Sequence, residues 1–105
     1  MPASATILAG FEPLLQAPAR LQVMAVLVQA QDAEFARLKE LTSTSDSVMS
    51  KHLSALADAG LIKLTKTTAE SRQRTWASVT RTGRKTFQNH VAALHKIIAG
   101  TADPI

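Results

Sequence analysis

The sequence predicts a mainly α domain with a small β-hairpin, of the α+β class, and three observations carry that prediction. Apolar residues recur at helical spacing through the first sixty positions. The period changes to two just after Gly60. It returns to helical spacing after Thr82 and stays there almost to the end. The expected order is four helical segments, two strands and a last helix. A length of 105 residues suits one small domain, with 46% apolar and 4% aromatic residues. The expected organisation is a single unit over 1–105, with an N-terminal helical arm at 1–17.

The first segment, residues 4–16, carries Ile7, Leu8, Phe11, Leu14 and Leu15 and is cut by Pro13. It reads as one or two helical turns followed by a bend. Pro18 suits the first position of the next helix, where its missing N–H is harmless. That helix, near 18–30, places Leu21, Met24, Ala25 and Val28 on one stripe. Val23, Val26 and Leu27 add apolar surface on other sides, which predicts burial from two directions. A short helix at 34–41 lines up Phe35, Leu38 and Leu41, and the TSTS run at 42–45 is turn material.

The stretch STSDSVMSKHLSALADAGLIKL, residues 43–64, is the most informative. Ser45 can accept a free N–H of the first turn as an N-cap. Met49, Leu53, Leu56 and Leu61 form a core-facing stripe flanked by Ala57, and Gly60 can end the helix in the left-handed region. At about 100° per residue, Ser47, Lys51, Ser54 and Asp58 fall opposite that stripe, with Ser50 to one side. Small hydroxyls with one cation let a helix backbone approach phosphates and base edges. An ordinary solvated helix face has the same composition.

LIKLTKT at 61–67 alternates, with Ile62 and Leu64 on one side, and RTWASVT at 74–80 alternates again. The polar TAESRQ between them makes the pair a hairpin, with Arg72 and Arg74 near its tip. Trp76 is out of phase with Val79 and covers the other face of the hairpin or stacks near Arg72 and Arg74. Thr82 is the expected cap of a final helix over 83–99, where Phe87, Val91, Leu94 and Ile98 form a narrow apolar seam. Only the last few residues look disordered.

The charge is uneven. Between 61 and 86 the cations Lys63, Lys66, Arg72, Arg74, Arg81, Arg84 and Lys85 face Glu70 alone. That block carries +6 and leaves −2 for the rest of a chain whose total is +4. A basic block beside a near-neutral body is the footprint of a polyanion binder. There is no cysteine, which excludes disulfides, thiolate metal sites and a cysteine nucleophile. No secretory signal or run of about 18 apolar residues is present, so no membrane partner is expected and the cytoplasm is the expected compartment. No nucleophile motif, phosphate loop, zinc-protease motif or acid pair is present, and an enzyme is not expected.

A short helix, a tight turn, a second helix and then a basic hairpin is the winged helix-turn-helix order. On PARLQVMAVL, SDSVMSKHLSALADAGLI and ESRQRTWASVTRTGR, residues 18–87 resemble the compact winged-helix regulators related to the MarR and ArsR families. The specific parts are S-K-H-L-x-x-L-x-x-A-G-L-I at 50–62 and R-T-W-x-x-V-T-x-x-G-R at 74–84. The resemblance implies a double-stranded DNA partner. Ser45, Ser47, Val48, Ser50, Lys51 and Ser54 would enter the major groove. Arg72 and Arg74 would be wing contacts to the backbone or minor groove, and Lys66 and Arg84 would meet phosphates. Thr44 and Val48 depart from the usual leucine and polar base reader, Glu70-Ser71-Arg72 replaces the Asp-x-Arg of MarR-like wings, and the ArsR cysteine motif is absent.

The seam on the last helix, with Leu8 and Phe11 of the N-terminal arm, suggests a two-fold homodimer through Leu8, Phe11, Phe87, Val91, Leu94 and Ile98. His52 reads as packed or hydrogen-bonded structure. His90 and His95 stand about 140° apart round a helix and share no ligand face, so neither metal nor cofactor is expected. The leading expectation is a homodimeric repressor reading a pseudo-palindromic operator. The alternative is a winged-helix interaction module whose basic hairpin docks an acidic protein. No separate ligand domain is marked, and an effector is unknown.

Overall fold

The computed structural model of the protein describes residues 9–102. Ile7 and Leu8 of the expected arm, and the end of the chain, expected to be disordered in its last few residues, lie outside the described residues. A 3-10 turn, Pro13–Gln16, comes first, with the Glu12 carboxylate accepting the Leu14 N–H at 3.0 Å. It drops Leu15 into the core. Pro18 then opens helix α1, Pro18–Ala30.

The buried centre of α1 is Val23, Met24 and Leu27, with Leu21, Val26 and Val28 partly buried against the same core. Leu21, Met24 and Val28 of the expected stripe thus pack on the core together with Val23, Val26 and Leu27, and the helix is covered from two directions as expected. A strand absent from the sequence reading follows: β1, Asp32–Glu34. Three residues of composition Asp-Ala-Glu hold no readable alternation. They become a strand because a longer strand, β3 at Arg72–Val79, offers an edge at Ser78, Ala77 and Trp76.

Helix α2, Phe35–Thr42, buries Leu38 and ends at Ser43 in the left-handed region. Leu41, expected on the same side as Leu38, is exposed. Helix α3, Asp46–Asp58, begins as expected, with Ser45 Oγ accepting the Val48 N–H at 3.3 Å. It stops at Gly60, whose φ is +79°. There the Leu61 N–H donates to Leu56 O at 3.0 Å and the Gly60 N–H to Ala57 O at 2.9 Å. That double bond pattern is a Schellman cap, and it releases the chain directly into a strand.

Strands β2, Ile62–Ala69, and β3, Arg72–Val79, pair antiparallel from Ile62↔Val79 to Ala69↔Arg72. Glu70 and Ser71, both at positive φ, make the two-residue turn a primed hairpin requires. The sheet has three strands in the order β1-β3-β2 rather than the expected two. Only its root is buried. Ile62, Ala77 and Val79 join the core, whereas Leu64, two residues beyond Ile62 on the same side of the strand, is exposed because β2 has already left the helical body.

The last helix, α4, runs Arg81–Ala102, longer at both ends than the expected 83–99. Its cap is Thr80, not Thr82. Thr80 Oγ1 accepts the Gly83 N–H at 2.9 Å and lies 2.7 Å from Gly60 O, so one hydroxyl ties α4 to the end of α3. Gly83 is buried there, and a Cβ on it would stand 2.0 Å from Leu61 O. That spacing is why the root of α4 needs glycine. Among the described residues no helix is long and apolar enough to cross a membrane, and no cluster of three acids or histidines could hold a metal ion.

Candidate nucleic-acid interface

Helix α3 separates its two faces cleanly. Met49, Leu53 and Leu56 are buried, which fixes the rotation of the helix. Ser45, Ser47, Val48, Ser50, Lys51 and Ser54 are all exposed, and Val48 is one of four large apolar side chains among the described residues left in solvent. The orientation is locked from behind as well. Arg20 Nε donates to His52 Nδ1 at 2.9 Å, while Arg20 Nη1 reaches Leu14 O at 3.4 Å. This holds α3 to α1 and to the 3-10 turn, and gives His52 the structural role expected of it. Burial, and then the neighbouring guanidinium, push the His52 pKa down, so the imidazole is neutral and free to accept.

The hairpin stands beside α3. Ser50, Leu53 and Ser54 face Leu64, Lys66 and Thr75 across a cleft of about 340 Å³ floored by Phe35. Lys66 and Arg72 are exposed. Arg74 is half-buried, its Nη1 3.5 Å from Glu34 Oε1 on β1. A second cleft, of about 500 Å³, opens between the wing and the start of α2 and α3, with Glu34, Lys39, Asp46, Arg72 and Arg74 on its walls. Lys39 Nζ lies 2.6 Å from Asp46 Oδ1 there.

Arg84 departs from its expected role. Its Nη1 donates to Val28 O at 2.8 Å and its Nη2 donates to Gln31 Oε1. The guanidinium thus satisfies carbonyls at the C-terminus of α1, where a cation also suits the helix dipole. Backbone placement alone could not show this, because the partners lie 53 and 56 residues away. Lys39, Glu34 and Asp46 also line the site, beyond the residues expected there. Lys39 and Asp46 are close in sequence across a turn, so that pair was accessible; Glu34 meets Arg74 only through the unforeseen β1.

The expected dimer residues separate into two groups. Phe11 lies with its ring 4.8 Å from that of His90, tilted 45°, and Phe87 packs on the core. Both are half-buried within their own chain. Val91 and Leu94 are half-buried, and Ile98 is 63% exposed. Beyond Gly83, the described residues of α4 that are fully buried are His90 and Ala93. His90 Nδ1 accepts the Glu12 N–H at 2.9 Å, and burial pushes its pKa down against the opposing pull of Glu12.

Residues 19–98 match the family described as "Winged helix DNA-binding domain". An uncharacterised protein of Methanocaldococcus jannaschii is 29% identical over 72 residues, which span 69% of this chain and 78% of that protein. Among solved structures, a transcriptional regulator homologue from Pyrococcus horikoshii OT3 superposes with a TM-score of 0.79 at 26% identity, covering 86% of this chain and 89% of the other. The YusO protein of Bacillus subtilis superposes at 0.72 with 22% identity, covering 91% of this chain and 67% of the other. The haem sensor protein PefR of Streptococcus agalactiae reaches 0.74 at 18% identity, covering 90% and 63%. With that match across most of its length and an exposed helix flanked by a basic hairpin, the chain belongs to the winged helix DNA-binding domain family.

Proposed function

We propose that this protein is a homodimeric repressor that reads a pseudo-palindromic operator in double-stranded DNA. Helix α3 enters the major groove and the wing follows the backbone or the adjacent minor groove. The observation that carries this reading is the face of α3: four serines, Val48 and Lys51 exposed together on a helix whose other side is locked into the core. Serine hydroxyls take either donor or acceptor roles at base edges, Val48 suits a thymine methyl, and Lys51 suits a guanine or a phosphate. Lys66 and Arg72 supply sequence-independent backbone contacts.

Dimerisation uses the outer side of α4. Val91, Leu94 and Ile98 leave an apolar strip along a helix of 22 residues, roughly 33 Å long. Two copies joined there by a two-fold axis would present their α3 helices to half-sites about one helical turn apart.

Selection from random duplex DNA at near-physiological salt tests the whole reading. An enriched inverted repeat is the expected result. Enrichment of a single half-site would remove the dimer. Binding without enrichment would leave only a backbone contact, and no binding would favour the acidic-protein alternative.

A further inference from the structure

We propose that the cleft between the wing and the α2–α3 turn is a seat for a duplex backbone phosphate, formed by Lys39, Arg72 and Arg74, and that Asp46 and Glu34 hold two of those cations in the free protein. The inference rests on the DNA-binding reading above and adds a site to it.

The cleft exists because β1 stops at Glu34. Beyond that residue β3 keeps one bare edge, from Arg72 to Thr75, and the first turns of α2 and α3 form the opposite wall. Its volume is about 500 Å³. Three cations converge on it, and guanidinium groups are the side chains best shaped for phosphate oxygens. Two carboxylates share the walls. Asp46 sits 2.6 Å from Lys39, and Glu34 sits 3.5 Å from Arg74. Arg72 has no ion pair among the described residues.

Both carboxylates are poorly placed for a surface that meets a polyanion. Asp46 is the first residue of α3, the end that would lead into the groove, and its side chain is 74% exposed. Neither pair is deeply buried, and ion pairs of this kind are weak enough to be exchanged. An arriving phosphate takes over Lys39 and Arg74, and the displaced carboxylates stay nearby and repel it. Glu34 and Asp46 therefore lower the affinity of the backbone contact. Because phosphates carry no sequence information, they lower it for every duplex alike. A protein tuned in this way dwells less on the excess of non-operator DNA.

Fluorescence anisotropy with a selected duplex and a scrambled one, over about 50 to 500 mM salt, tests this on the full chain. Glu34→Gln and Asp46→Asn should each tighten binding to both duplexes about threefold or more at the lowest salt, with the gain fading as salt rises. Lys39→Gln should weaken binding to both, and Asp46→Asn should bring no gain in that background, because the acid acts through the lysine. Unchanged melting curves confirm that the variants are folded, and Asp46→Ser substitutes if Asp46→Asn is not. Folded variants that bind no more tightly than the parent overturn the proposal, as does a gain from Asp46→Asn that survives Lys39→Gln. If the parent protein binds neither duplex at any salt, the DNA-binding reading fails and the seat fails with it.

Discussion

Helices α3 and α4 are both amphipathic, and they end differently. The apolar stripe of α3 is consumed inside the chain, with Met49, Leu53 and Leu56 all buried. The inner line of α4 closes on His90 and Ala93, while Val91, Leu94 and Ile98 stay partly or largely in solvent. A stripe met by its own chain fixes a helix in place and frees the opposite face for recognition. A stripe left in solvent is surface awaiting cover.

The contrast can be broken most strongly at the core end. Leu56→Ala should cost about 3 kcal/mol, by lost burial and a cavity, and lower the melting temperature clearly. A change under about 1 kcal/mol would mean that α3 is less firmly seated than its burial indicates. The root of α4 should be nearly as sensitive. Gly83→Ala places a methyl group against the Leu61 carbonyl, a backbone atom that cannot swing aside, and should cost about 2 kcal/mol or more. Retained stability there would show that α4 can shift outward on its root.

The histidines give a smaller, pH-dependent effect. His52 and His90 each accept a hydrogen bond at Nδ1, and burial lowers both pKa values in the fold. Between the lowered folded pKa and the ordinary value near 6.5 the unfolded chain binds more protons. Their contribution is therefore complete above about pH 6.5 and lost as pH falls through the folded pKa. Melting temperatures measured from about pH 7.5 to pH 5 should decline, and His52→Gln with His90→Gln should flatten the decline. An unaltered slope in that double variant would remove the two histidines as its cause.

At the far end of α4 the expected effect on the monomer fold is smallest. Ile98→Glu removes an exposed side chain and should change chain stability by no more than about 0.5 kcal/mol. Its reading is instead the solution mass. Light scattering should report a dimer for the parent protein and a monomer for the variant. An unchanged mass would take the strip on α4 out of the assembly.

Short-range features were legible in the sequence. Pro18 at the start of α1, Ser45 as the cap of α3, Gly60 as its stop and the hairpin that follows all rest on chemistry within a few residues. The exposed serine–lysine face of α3 was readable for the same reason, since helical geometry alone separates it from Met49, Leu53 and Leu56. What escaped lies at long range. Thr80 rather than Thr82 caps α4 because its hydroxyl is placed to reach Gly60 as well as Gly83. Arg84 looked like a free phosphate contact until the end of α1 came within its reach.

The sequence by itself determined the helical and hairpin elements, the basic block and the polar face of α3, because periodicity, capping and charge are properties of neighbouring residues. Only the tertiary structure decided that Asp32–Glu34 is a strand, which arginines are occupied, and that a cleft with three cations and two acids lies under the wing. Those outcomes depend on which groups come within about 3 Å of one another, and hydrogen bonds and ion pairs form at no greater separation than a few ångströms. Chain order does not encode that proximity until the core has closed.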